Sequence, residues 1–311
     1  MANPDQTPFG EPQTVLVSTT LVLGVITLLV ALIWNALHQM DWIGQLLGFN
    51  GVVAIGLVNA IFLILAIIYS TVRKDPLIAR TVIACMILPV YAASVNILTF
   101  HGASLQMPLM DAVFARWDAA LGLDWPAFLR WNAEQPLVRT YGKALYTYWY
   151  FLATLLLIIF ALARKDLARL ERIVGFIVIS GLITVTIGSL LPAASVYAQH
   201  AIPDDFARYL NSAVDANYAN VYNAMRHAKA ISLDDVMHGT VTFPSHHTTI
   251  GVAAILFSMH AKRFLLLMAP PSLAMIFLTP TMGGHYFVDL IAGAAVALFS
   301  YWIVNRIARL G

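Results

Sequence analysis

Charge is what this chain has least of. Its 311 residues include 18 Lys and Arg and 16 Asp and Glu, 11% in all, where an ordinary soluble domain carries about a quarter. With 60% hydrophobic residues and a mean hydropathy of +0.77, it has too little polar surface to cover one water-soluble globule. The formal net charge is +2, and the basic residues sit at the ends of apolar runs instead of in a patch, which argues against a nucleic-acid partner. Cysteine is nearly missing. Cys85 is single and lies inside an apolar run, so it forms no intrachain disulfide and reads as a small buried hydrophobe. No His-Glu-x-x-His run and no Gly-x-Ser-x-Gly setting is present, nor any fixed-period repeat or low-complexity tract, so the chain carries no zincin or nucleophile-elbow signature.

What is there is a series of apolar runs, most of them about the 20 residues a bilayer crossing needs. They predict eight spans at 14 to 36, 51 to 70, 81 to 99, 144 to 163, 173 to 195, 246 to 260, 265 to 280 and 285 to 305. All should be helices, because unpaired backbone cannot face lipid. The expected class is an all-α polytopic membrane protein. The sixth and seventh spans are short and end in Pro-, Gly- or Ser-rich stretches, which suggests that their outer ends border a cavity. The first thirteen residues hold no Lys or Arg, and no small-residue cleavage site follows the first apolar run. The first span is therefore read as uncleaved.

Basic residues set the orientation. Arg73, Lys74, Arg80, Arg164, Lys165, Arg169, Arg172, Lys262, Arg263, Arg306 and Arg309 crowd the short connections and the tail, leaving seven of the 18 for the long segments 100 to 143 and 196 to 245. The positive-inside rule then puts both termini in the cytoplasm and the long segments outside, as expected for a multi-pass protein of a cell inner (plasma) membrane. In the first long segment, Val113, Phe114, Trp117 and Leu121 share a helical face, with Arg116 and Asp118 elsewhere. Asp124, Trp125 and Pro126 open a second short helix. Trp117, Trp125 and Trp131 suit the headgroup level, or simply cap the bundle. A third such helix is expected within Asp204 to Ala228.

Of the sixteen acids, one falls inside a predicted span: Asp289. A carboxylate in hydrocarbon costs several kcal/mol unless it is paired or faces a wet cavity, so it marks a candidate site. His285 lies four residues earlier, and on a helix the two would share a face. The carboxylate could then accept one ring N–H and leave the other nitrogen as acceptor or nucleophile. A pair that only stitches helices together is the alternative. At the same membrane face lies Gly239-Thr240-Val241-Thr242-Phe243-Pro244-Ser245-His246-His247. Pro244 suits a first helical turn and Ser245 a cap, so free N–H groups there make an anion site. His246 and His247 point about 100° apart on a helix, and at most one should face the cavity of His285. Two histidines, an orienting Asp and an anion hole favour phosphoryl transfer through a phosphohistidine. Arg226, Lys229 and Lys143 are the cations nearest in sequence for the phosphate oxygens, although Lys143 and Lys229 equally suit snorkelling.

These residues also carry a resemblance. Phe243-Pro244-Ser245-His246-His247 resembles the Pro-Ser-x-His motif of the type-2 phosphatidic acid phosphatase superfamily, and His285-x-x-x-Asp289 resembles its last motif. The interval between them leaves room for two connecting spans. The resemblance implies a six-helix core over roughly 81 to 305, here preceded by two extra helices and accompanied by outer interfacial helices. Residues 1–75 would be the added part and 76–311 the catalytic membrane domain. It further implies His285 as nucleophile, Asp289 as its orienter, His247 as the acid on the leaving group, and His246 as bystander. The family's Arg ahead of the last histidine falls here on Thr279, and its Lys-x6-Arg-Pro motif is missing. Those losses, with Gly283-Gly284-His285-Tyr286, Asp118-Ala-Ala-Leu-Gly-Leu-Asp124-Trp125 and Leu191-Pro192-Ala193, resemble the branch of inositol phosphorylceramide synthases and their bacterial relatives. The resemblance covers roughly residues 100 to 300, and Arg226 matches an Arg that such sequences carry before Phe-Pro-Ser.

The expected activity is transfer of a phosphoryl or phospho-headgroup from a phospholipid or other phosphorylated lipid to a lipid or alcohol acceptor. Arg226, Ser245, Lys143 and Lys229 would hold the phosphate, with no metal and no cofactor. A lipid phosphatase using water is the near alternative. A transporter with Asp289 as ion relay is a more distant one, and it would need broken helices in matched halves. Three ligands, His247, His285 and Asp289, would also be chemically admissible for a metal hydrolase.

Overall fold

The computed structural model of the protein describes residues 22–27, 29–30, 33, 50–200, 218–227 and 241–309. Most of the predicted span 14 to 36 lies outside these residues, as do Lys229, Gly239, Thr240 and most of the stretch 204 to 228. Every regular element among the described residues is helical. The α-helices are α1 Asn50–Ile67, α2 Pro76–Ser104, α3 Asp111–Ala120, α4 Trp125–Glu134, α5 Lys143–Ala163, α6 Leu167–Leu190, α7 Tyr218–His227, α8 His246–Ser258, α9 Lys262–Met282 and α10 Phe287–Ile307. Helices α2, α6, α9 and α10, and α5 with the π-helical turn that leads into it, are long and apolar enough to cross a membrane. The protein is an all-α, multi-pass membrane protein.

Local chemistry explains the boundaries. Asp75 caps α2 by accepting from the N–H groups of Leu77 and Ile78 at 3.0 and 3.1 Å, with Pro76 at the first helical position. The 29 residues of α2 reach about 43 Å, longer than the hydrocarbon core and longer than the predicted 81 to 99. Asp166 caps α6 through the Arg169 N–H, so this helix begins at Leu167 rather than 173 and stops before Pro192. One correction follows: Glu171 joins Asp289 as an acid inside a span. It is buried and paired with Arg80 of α2 at 2.6 Å. The seventh span also differs from expectation, because α9 runs the full 21 residues with Pro270, Pro271 and Pro280 inside it. Only α8, with 13 residues, is short, about 20 Å.

Helix α8 is the hub, packed against α5, α6, α9 and α10; α2 lies on α6, and α1 and α7 on α2. Lipid offers the helices no hydrophobic drive toward each other, so close packing and interhelical hydrogen bonds hold them. Trp149 Nε1 of α5 donates to Ser272 Oγ of α9 at 2.9 Å. The Tyr91 hydroxyl of α2 donates to the Val178 carbonyl of α6 at 2.7 Å, against Gly181, where no Cβ would fit beside it. Phe176, Met268, Met275 and Met282 are fully enclosed, whereas Phe151, Leu266 and Trp302 face outward.

The outer helices differ from the predicted pattern. The buried residues of α3 are Asp111, Phe114 and Asp118, with Trp117 and Leu121 exposed. Trp125 is no headgroup anchor. It is 2% exposed, donates Nε1 to the Pro280 carbonyl at 3.2 Å and stacks on His200.

Candidate active site

Asp289 stands three positions past the N-cap Tyr286, at the start of α10. His285 precedes that cap, so it is not on the helix, and the reason first given for its meeting with Asp289 needs correction. The pair forms across the helix start. Asp289 Oδ2 accepts from the Tyr286 N–H at 2.9 Å and lies 3.1 Å from His285 Nδ1. A carboxylate there satisfies an otherwise unpartnered backbone donor and complements the helix dipole while it orients the ring. With Nδ1–H on the carboxylate, Nε2 is the basic, nucleophilic nitrogen. Asp289 is fully buried and His285 is 5% exposed.

The second motif starts α8. Ser245 Oγ accepts from the Thr248 N–H at 3.3 Å, and the Ser245 N–H donates to the Asp289 carbonyl at 3.0 Å. Thr249 Oγ1 donates to the Gly293 carbonyl at 2.9 Å. Gly293 is obligatory here because a Cβ would strike the Ser245 carbonyl. The Ser245 side chain is thus engaged in capping, and the first-turn N–H groups of His246 and His247 have no partner within the helix. His246 turns into the bundle, bonded through Nδ1 to the Tyr150 hydroxyl at 2.9 Å and near Ser180 Oγ at 3.4 Å. His247 stacks on Tyr146 with ring centroids 4.0 Å apart, its Nδ1 3.0 Å from the Tyr146 hydroxyl. The Tyr146 hydroxyl that meets His247 and the His285 ring both lie at Gly283, whose missing Cβ leaves room for that hydroxyl and for His285 Cδ2.

A clamp from α3 and the segment 194–197 holds the His285 loop, and sequence reading missed most of it. Asp118 accepts from the Phe287 and Val288 N–H groups at 2.8 and 2.9 Å, so α3 caps α10 from another element. Burial pushes the Asp118 carboxyl up from its ordinary value, and the two donors pull it down. Asp111 accepts from the Ala194 and Ser195 N–H groups at 2.9 and 3.1 Å and from the Tyr286 hydroxyl at 2.9 Å. Ser195 Oγ and the Val196 N–H both donate to the Gly284 carbonyl, at 2.8 and 3.0 Å. The Tyr197 hydroxyl donates to the Thr281 carbonyl. Acids spaced i and i+7 on a short helix were the available signal, overridden by the more conspicuous aromatic face.

Of the predicted cations, Arg226 and Lys143 fall among the described residues. Arg226, 9% exposed, donates Nη2 to the Met107 carbonyl at 2.8 Å, and its buried Nη1 has no hydrogen-bond partner among the described residues. Lys143 is exposed at the first position of α5, one turn before Tyr146. Thr279, at the family's Arg position, is buried and donates to the Met275 carbonyl at 2.9 Å. No group of three or more His, Cys, Asp or Glu among the described residues is arranged to hold a metal ion.

The fold and the paired histidines at two helix starts define a membrane-embedded site with the parts for phosphoryl chemistry. The chain belongs to the PAP2 superfamily, whose family model matches residues 112–303, more than half of its length. It is therefore a membrane enzyme of the phosphatase or phosphotransferase type that acts on phosphorylated lipids. The match opens inside α3, so α1 and α2 precede it. No curated protein and no solved structure matches the chain.

Proposed function

We propose that this enzyme moves a phosphoryl group or phosphate-bearing headgroup from a lipid donor to a lipid or alcohol acceptor through a phosphohistidine at His285, in the manner of the inositol phosphorylceramide synthase branch. The observation that carries the reading is the 3.1 Å contact of His285 Nδ1 with the buried Asp289 carboxylate, beside His247. His285 Nε2 attacks phosphorus, a P–N bond forms and the P–O bond to the leaving group breaks. Asp289 stabilises the ring as it becomes positive. His247 gives a proton to the departing oxygen and takes one from the acceptor hydroxyl in the second step, in which the P–N bond breaks. The first-turn N–H groups of α8, held in place by the Ser245 cap, with Arg226, Lys143 and Lys229, balance the phosphate charge.

In this reading residues 76–311 form the catalytic domain and 1–75 an addition. Both termini lie in the cytoplasm and the site opens at the outer or periplasmic face of the inner membrane. The test uses the full chain in detergent with EDTA and a set of phosphorylated lipids, assayed for free phosphate and for new phospholipid, alongside His285→Ala. New phospholipid that disappears in the variant supports transfer. Free phosphate alone makes water the acceptor and the enzyme a lipid phosphatase. Wild-type turnover in the variant removes His285 as nucleophile.

A further inference from the structure

At the end of α10 remote from His285, four arginines converge on one cavity. It encloses about 490 Å³ between the start of α6, the end of α8 and the end of α10, and its walls include Arg169, Arg172, Arg306, Arg309, His260 and Trp302. That volume lies within the range of small-molecule sites. Among the described residues a single ion pair reaches this group, Arg169 Nε to Asp166 at 3.4 Å. Arg172 is tied to the Ala168 carbonyl and to Asn305 Oδ1 at 3.2 and 3.5 Å, which fixes its plane across the α6–α10 seam. Arg306 and Arg309 are exposed.

Helix-end chemistry does not account for the cluster. Cations suit the C-terminus of α10, but Arg169 and Arg172 stand in the first turns of α6, where the dipole opposes positive charge. Guanidiniums gathered from two helices repel one another unless an anion joins them, and the planar fork of arginine matches phosphate oxygens. Basic pockets between membrane helices at the headgroup level hold phosphorylated lipid heads. The apolar side of the cavity points to a lipid instead of a free ion. Trp302 lines the cavity and stacks on Phe299, and both rings are more than half exposed along the outer side of α10, a path for an acyl chain.

We propose that this cavity binds the phosphate-bearing headgroup of an anionic membrane phospholipid. The 21 residues of α10 put it about 31 Å from the His285 end, so the bound lipid is a resident of the opposite face, not a substrate in reach of His285. The proposal does not rest on the phosphohistidine reading.

The full chain, purified in a zwitterionic detergent and titrated with phosphatidylglycerol or phosphatidylcholine, is examined by native mass spectrometry beside Arg306→Gln/Arg309→Gln. Both substitutions are at exposed positions in the last turns of the chain, and the thermal midpoint without added lipid checks that the variant is folded. The expected result is retention of one phosphatidylglycerol by the wild type, weakened about 5-fold for each arginine lost. A midpoint that rises with phosphatidylglycerol in the wild type and less in the variant is the second readout. Equal retention of both lipids, or equal retention by wild type and variant, overturns the proposal. Displacement of the lipid by excess inorganic phosphate would make this a free-phosphate site and overturn the lipid assignment.

Discussion

Asp289 uses one carboxylate oxygen for two donors, His285 Nδ1 and the Tyr286 N–H, and Oδ1 has no hydrogen-bond partner among the described residues. Asp289→Asn keeps the volume but removes the charge and can present an N–H where the ring offers its own. In the proposed mechanism turnover falls by about three to four orders of magnitude, as for the orienting acid of a triad, with the folded fraction unchanged. Retained turnover, measured on the true lipid donor, would show that the pair only joins the loop to α10. His247→Ala tests a different step. A lost general acid costs about 10²–10⁴-fold, and the loss should concentrate on alkyl phosphates, whose leaving groups need a proton. Equal losses on an alkyl and an aryl phosphate would leave His247 without an acid role. His246 offers the internal comparison, since Tyr150 and Ser180 hold it in the bundle.

Among the helices, α3 is the one whose task its sequence conceals. Alone it reads as an amphipathic helix with Val113, Phe114, Trp117 and Leu121 on one face, suited to the headgroup level or to capping the bundle, and in isolation an aromatic face would win over two acids. The folded chain supplies four backbone N–H groups and a tyrosine hydroxyl that the two carboxylates accept from, so Asp111 and Asp118 go in and Trp117 stays out. Asp118→Asn retains one acceptor and sets an amide N–H against a backbone N–H. It should cost about 1–3 kcal/mol locally and appear as a lower kcat with KM little changed, because the loop carrying His285 loosens while the start of α8 does not. A KM effect alone would place Asp118 on the substrate side instead.

For the bundle as a whole, the contact between α2, which precedes the family match, and α6, which lies within it, holds a buried ion pair. Arg80→Ala leaves Glu171, whose side chain is 4% exposed, without its partner, and about 3 kcal/mol should be lost. Arg80→Met with Glu171→Leu together should recover most of it. Thermal unfolding in one detergent compares the three proteins; a single variant as stable as the wild type would mean that water or lipid already solvates the carboxylate.

Apolar run lengths, Asp75-Pro76 and Asp166 as helix starts, and the Pro-Ser-x-His and His-x-x-x-Asp strings are local features, and for that reason the helical membrane class and the family were legible from the chain alone. Glu171 falls outside the predicted span because a cap at Asp166, seven residues before the apolar run at 173, extends the helix without changing the run. His285 was placed on a helix for a similar reason: periodicity does not register a cap at Tyr286. The inward turn of Asp111 and Asp118, the backbone of Gly293 against Ser245, and the four arginines gathered from two helices depend on groups 44 to 175 residues apart in the chain. Such contacts leave no periodic trace, because each side chain answers to donors, charges or space that another element brings to it only when the bundle closes.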